Sequence, residues 1–340
     1  MPQLLRTSAF ETAEHLISNQ QRNPVALDFP DRLAPQSLCA SFFLILRRFF
    51  VVLLLAIVAG CGTLPQDFRQ SLVTVVPHDV DFSELEYYAK RSKAAYDSPA
   101  EIRKQFSNVT RVATVQPVNV QYFLETDSQR KTQTLTIRGT SNKQNRMEDA
   151  AIKKVADPVL GVNLHKGFRE DALAVQSDVT PHLRKDYTIL VTGHSLGGAV
   201  AAIEAHFLFR DGYDVQRLVT FGGPKSTDAE GKNALEDGIE TTRVVNQNDI
   251  VPTVPPQGLS IGGYQHFGPE VILRPGKEYV WLPGHDANRL SVGDLWRDID
   301  FLTVEAHSMT NYLPNIQGKV KNGVVQVPYY SSKAEADADG

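Results

Sequence analysis

Ser195 stands between two glycines in Gly193-His194-Ser195-Leu196-Gly197. A serine at G-x-S-x-G spacing is a candidate nucleophile for attack on a carbonyl carbon. Its hydroxyl is a poor nucleophile near neutral pH. It needs a base within hydrogen-bond reach, and the base needs an orienting carboxylate. With this elbow the chain order is serine, then acid, then histidine. Downstream, Asp249 follows the apolar strand-like run Thr241–Val245 and precedes the rigid Val251-Pro252-Thr253-Val254-Pro255-Pro256, so it is the leading acid. His266, His285 and His307 are candidate bases, and spacing alone does not choose among them. His206 falls about three turns along the helix that follows Ser195 and points away from it.

Specific elements must position these groups. Tyr187-Thr188-Ile189-Leu190-Val191 is an apolar, β-branched run, and Gly198-Ala199-Val200-Ala201-Ala202 is a small-residue helical one. The pattern predicts strand, sharp turn, helix. The strand and helix pass so close that Gly193 and Gly197 cannot carry side chains, and the serine backbone is held strained. A helix starting just after Ser195 points free N–H groups at the reaction, so the Leu196 N–H is a ready oxyanion donor.

The rest of the chain supplies the scaffold. Residues 82–106 read as helical, with a second short helix starting after Ser98-Pro99. Strand-like runs follow at 109–115, 119–125 and 132–137. Residues 141–164 have no strong periodicity. His165-Lys166-Gly167-Phe168 opens a helix to about 183. The helix after Ser195 runs to about Arg210. Leu218–Phe221 and Thr241–Val245 are short strands, and 270–273 with 278–282 form a hairpin around Pro275-Gly276. A helix-like stretch from Leu295 leads to His307. Strands alternating with helices predict an α/β fold with a mostly parallel sheet flanked by helices and no second domain.

The 340 residues carry a formal net charge of −4, which gives no electrostatic case for nucleic acid. Arg47-Arg48 precede Phe49–Ala59, an apolar run of about 11 residues, where a spanning helix needs about 20. A positive start, a short apolar core and a small-residue end predict a signal peptide. It ends in Val58-Ala59-Gly60-Cys61, which resembles the bacterial lipobox, whose cysteine is lipidated after cleavage. Gly62 after that cysteine favours the outer membrane, by resemblance to Gram-negative sorting. Residues 1–61 are therefore expected to be an N-terminal extension plus lipoprotein signal, with the true start near Leu44 or Leu46, and 62–80 a tether. Cys39 and Cys61 are the only cysteines, so the mature domain is expected to hold together without a disulfide. The acidic, alanine-rich 331–340 reads as a disordered tail.

Five motifs stand in order: Arg138-Gly139-Thr140, His165-Lys166-Gly167-Phe168, Gly193-His194-Ser195-Leu196-Gly197-Gly198-Ala199, Asn248-Asp249-Ile250-Val251-Pro252 and Ala306-His307-Ser308-Met309-Thr310-Asn311-Tyr312. Over about residues 82–315 this resembles the class 3, fungal-type lipases. The resemblance implies an α/β-hydrolase fold over 81–330, a Ser195, Asp249, His307 triad, and a second oxyanion donor at Thr140. It also implies that Tyr264-Gln265-His266 matches a non-catalytic Tyr-x-His of the family. The implied activity is cleavage of carboxylic esters of lipids or small molecules, with no metal or organic cofactor, by a monomer anchored in the cell envelope through Cys61. A phospholipase A-type reaction and a non-catalytic envelope lipoprotein are the alternatives. One segment departs from the family. Where its lipases carry an apolar lid with a Trp, this chain reads Ser141-Asn142-Lys143-Gln144-Asn145-Arg146-Met147-Glu148-Asp149.

Overall fold

Strands at the middle of a sheet covered by helices must be apolar on both sides. The runs at 120–125, 133–137 and 218–221, in the second, third and fifth strands of the sheet, are buried throughout, and the polar side chains among them are buried with the rest. The computed structural model describes residues 75–139, 153–255, 263–287 and 305–329. Among these, nine strands form one sheet in the order β1 (Val109–Val115), β2 (Val120–Asp127), β3 (Thr132–Ile137), β6 (Thr188–His194), β7 (Asp214–Phe221), β8 (Glu240–Asn246), β9 (Glu270–Leu273), β10 (Glu278–Leu282) and β11 (Val325–Gln326). The neighbours from β3 to β9 run parallel, while β1–β2, β2–β3 and β9–β10 are antiparallel. This is the mostly parallel sheet expected from the alternation of elements. A separate hairpin pairs β4 (Lys154–Asp157) with β5 (Val162–His165).

Helices cover both faces. On one side, α3 (Lys166–Val179) and α4 (Leu196–Arg210) pack Ala172, Val175, Ile203 and Phe207 onto Leu135, Ile189 and Val191. On the other, α1 (Phe82–Ala94) and α6 (Met309–Asn322) pack Leu85, Tyr88, Tyr312 and Ile316 onto Val219, Phe221 and Val244. Two short helices, α2 (Pro99–Gln105) and α5 (Ala229–Leu235), also lie among the described residues. Ser98 caps α2 with Pro99 in its first turn, as the dipeptide signals.

Several boundaries differ from the sequence reading. β7 starts at Asp214 rather than Leu218, because its first half alternates exposed and buried residues and its buried Arg217 is paired with Glu84 at 2.8 Å. α3 ends at Val179 and passes into a single 3₁₀ turn, Thr180–His182. The unperiodic 141–164 contains the β4–β5 hairpin, turned by Asp157, whose Oδ1 accepts from Val159 N and Leu160 N. Residues 305–308 form a turn, and the helix begins after His307 at Met309. The helix-like stretch from Leu295 falls mainly outside the described residues, as do 1–61, most of the tether and the tail at 331–340. Residues 75–80 lie along the β10–β11 edge, where His78 N donates to Gln326 Oε1 at 2.9 Å and Tyr279 donates to the His78 carbonyl at 3.0 Å.

Register sets the site. Ile137 pairs with Gly193, His194 with Phe221, and Phe221 with Val244. The C-terminal ends of β3, β6, β7 and β8 therefore lie side by side, which is where ligands bind on open α/β sheets.

Candidate active site

Ser195 occupies the turn between β6 and α4 with φ 60° and ψ −136°. A positive φ at a non-glycine residue costs of order 1–3 kcal/mol and persists only where the surroundings fix it. Here they do. A Cβ on Gly193 would strike the Gly197 carbonyl, and one on Gly197 would strike the backbone of Ile137 and Arg138. The Ser195 N–H donates to Phe221 O at 2.9 Å, which ties the turn to β7. Leu196 opens α4, so its N–H has no acceptor within the helix.

Asp249 sits in the turn after β8, with its own N–H on Asn246 O at 3.0 Å and Asn248 beside it at φ 72°. Its carboxylate is buried and accepts three donors. Oδ1 takes Val251 N at 2.9 Å, and Oδ2 takes the Tyr312 hydroxyl at 2.6 Å and His307 Nδ1 at 2.9 Å. Burial, followed by the Asp249 charge, pushes the Tyr312 hydroxyl well above the usual phenol range, so it stays a donor. His307 is 2% exposed. With Nδ1 committed to Asp249, the hydrogen sits on Nδ1 and the lone pair on Nε2. That Nε2 is buried and has no hydrogen-bond partner among the described residues.

The elbow histidine locks this arrangement. His194 stacks on His307 at 4.5 Å between ring centroids, and its Nε2 lies 2.7 Å from His307 O. A carbonyl only accepts, so His194 Nε2 carries the hydrogen and Nδ1 accepts from the Tyr96 hydroxyl at 2.7 Å. Tyr96 in turn takes a hydrogen bond from the Gly139 backbone. Asn246 Nδ2 donates to Ala306 O at 3.0 Å and fixes the turn before His307. Gly222, at φ 56°, closes the back, where a Cβ would stand 2.7 Å from Asp249 Oδ2 and 2.9 Å from His307 Nδ1.

The structure thus brings together Asp249 and His307 and sets His307 against the residue preceding Ser195. The other histidines are elsewhere. His266 Nε2 donates to Pro252 O at 2.8 Å, and burial, with Arg243 and Lys225 nearby, drives its imidazole well below the usual value. His285 is exposed and pairs with its neighbour Asp286 at 3.2 Å. His206 is buried between the carbonyls of Ala202 and Leu235. Thr140, the 141–149 segment and Cys61 lie outside the described residues. Tyr312, Tyr96, Gly222 and Asn246 had no role in the sequence reading. Tyr312 alone stood inside a quoted motif, and the contacts of all four arise only when distant segments meet.

Residues 134–259 match the family model of class 3 lipases. The chain is 26% identical to a secreted mono- and diacylglycerol lipase of Fusarium solani over 263 residues, 68% of this chain and 78% of that one. It is 32% identical to a Rhizopus niveus lipase over 173 residues, 47% of this chain and 43% of that relative, so that match spans less than half the relative's length. Among solved structures, a triacylglycerol lipase described as having a serine-protease triad superposes with a TM-score of 0.57 at 24% identity, covering 68% of this chain and 94% of that one. At that identity the likeness concerns the fold. A lipase of Rhizopus microsporus var. chinensis superposes with a TM-score of 0.52 at 25% identity, covering 63% and 82%. These likenesses are to α/β-hydrolases.

Proposed function

We infer that the chain belongs to the class 3 lipases and works as a serine hydrolase of carboxylic esters of lipids. The observation that carries the reading is the buried Asp249–His307 pair, whose Nε2 has no hydrogen-bond partner among the described residues and whose ring stacks on His194, the residue before Ser195 at the strained elbow.

In this reading Ser195 Oγ attacks the ester carbonyl while His307 Nε2 takes its proton. Asp249 keeps the imidazole in the tautomer that presents a lone pair and offsets the imidazolium charge. The Leu196 and Thr140 backbone N–H groups hold the tetrahedral oxyanion. Collapse passes the proton from His307 to the leaving alcohol and leaves an acyl-Ser195 ester. Water, deprotonated by the same imidazole, releases the acid. Gly193, His194 and Gly197 shape the elbow. The match of Val58-Ala59-Gly60-Cys61 to a lipobox supports a further part of the reading, a domain anchored in the bacterial cell envelope by lipidated Cys61.

A fluorophosphonate probe and a series of p-nitrophenyl esters from acetate to palmitate test the chemistry. The probe should label the protein, and Ser195→Ala should abolish labelling and lower kcat by about 10⁴-fold or more. Equal hydrolysis by both proteins would remove Ser195 from the mechanism.

A further inference from the structure

Two cations are buried close together, one of them lining a space shared with Gly198 and Ala199 of α4. Lys225 is 0% exposed and Arg243 is 6% exposed. The carboxylate acting on both is Glu270, which lies 2.7 Å from Arg243 Nη1 as an ion pair without hydrogen-bond alignment. Among the described residues, two positive charges against one leave an excess of one, and an uncompensated buried charge is costly. The partners differ. Lys225 Nζ donates to Thr253 O at 2.8 Å, and Arg243 Nε to Gly268 O at 3.3 Å. Arg243 Nη2 is buried and has no hydrogen-bond partner among the described residues.

Arg243 lines a small cavity of about 20 Å³ together with Thr220, Ser226, His266 and, from α4, Gly198 and Ala202. A single water-sized group needs roughly 10–15 Å³ by this measure, so the space fits one such group or a slightly larger one. Hydroxyls at Thr220 and Ser226 can donate, and the guanidinium supplies the charge.

We propose that this cavity binds one halide-sized monovalent anion, chloride in ordinary buffers, against Nη2 of Arg243. The anion completes the charge balance of the Lys225–Arg243–Glu270 cluster. Its consequence reaches the acid loop, because Lys225 Nζ, Lys225 N and His266 Nε2 hold the carbonyls of Thr253, Val254 and Pro252, just after Asp249. The binding energy therefore stabilises the segment that carries Asp249. Burial and Arg243 pull the Lys225 ammonium down to about 8, which fits a site short of negative charge.

The test uses the whole chain and does not depend on ester hydrolysis. Thermal melting is followed in potassium chloride and in potassium gluconate at equal ionic strength. Chloride should raise Tm saturably, by about 4 °C at ten times its Kd, and bromide should do the same, while gluconate does not. Crystals grown in bromide should show an anomalous bromine peak beside Arg243 Nη2. Ser226→Val, which fills the space, should keep the gluconate Tm and lose the chloride response. If that variant does not fold, the two wild-type measurements still decide. Equal melting in both salts overturns the proposal. A bromine peak without a melting response is an adventitious ion only and also overturns it. A melting response with the bromine elsewhere places the ion at another site and does the same.

Discussion

Tyr312 reaches Asp249 Oδ2 from the first turns of α6, and the same helix start carries His307 just before it. A hydroxyl donating to a buried carboxylate is worth about 1.5–3 kcal/mol, but Asp249 keeps the Val251 N–H and His307 when it is lost. The remaining donors hold the acid in place while its charge balance changes, so the damage falls on the imidazolium transition state more than on substrate binding. Tyr312→Phe should lower kcat about 10-fold, with KM and far-UV structure unchanged, measured on a soluble p-nitrophenyl ester. An unchanged kcat would mean the hydroxyl only fills space. Gly222 shows why such roles escape a reading of the chain: a Gly222-Gly223 pair after a strand looks like any turn. What forbids a side chain there is the approach of Asp249, His307 and Tyr312 from segments 27, 85 and 90 positions downstream, differences read directly from the numbering.

At the scale of elements, α3 shows a motif whose chemistry is local. His165 caps the helix by accepting the Phe168 N–H on Nδ1 at 3.4 Å and stacks on Phe168 at 4.0 Å. The cap requires a neutral ring, and burial pulls the imidazole down to about 4 from 6.5. The folded value is depressed, so its contribution to stability is present above 6.5 and is lost as pH falls towards 4. His165→Asn keeps a cap acceptor without a titration. The stability gap between wild type and this variant should narrow by up to about 3 kcal/mol between pH 6.5 and 4, followed by urea unfolding. A gap that does not change with pH would show the ring is not the titrating cap. The elements that were legible share one property, a continuous pattern. The β-branched Ile189–Val191 run and the alanine-rich start of α4 declare themselves, as do β1 and β3. Those that were missed have no such pattern. β5 and α5 bury Val162, Leu164 and Leu235 in the core shared with α3 and α4, and α6 carries Pro314 inside it, so tertiary packing rather than local preference makes them.

At the scale of the whole molecule, two sequence features bear on how the site meets lipid. An apolar lid works by moving apolar area from protein to lipid, at about 25 cal/mol per Å². Ser141–Asp149, which the family resemblance places at the lid, offers only Met147 as a strongly apolar side chain, against Lys143, Arg146, Glu148 and Asp149, so if it serves as a lid a lipid surface would give it little reason to open. A chain held to a membrane by lipidated Cys61 would not need such a trigger, because the anchor already supplies proximity. Two acyl chains give a lasting attachment without any contact by the hydrolase domain. Two measurements test this pair of features together. As p-nitrophenyl butyrate is taken through its solubility limit, the rate should follow one saturating curve, and Arg146→Trp should introduce a step. The wild-type chain expressed in a bacterium should fractionate with the envelope, and Cys61→Ser should move it to the soluble fraction with kcat on the soluble ester unchanged. A jump of about 10-fold or more at the solubility limit in the wild type would show that the segment opens at an interface despite its polarity. Retention of Cys61→Ser on the membrane would show that attachment does not require a lipidated cysteine.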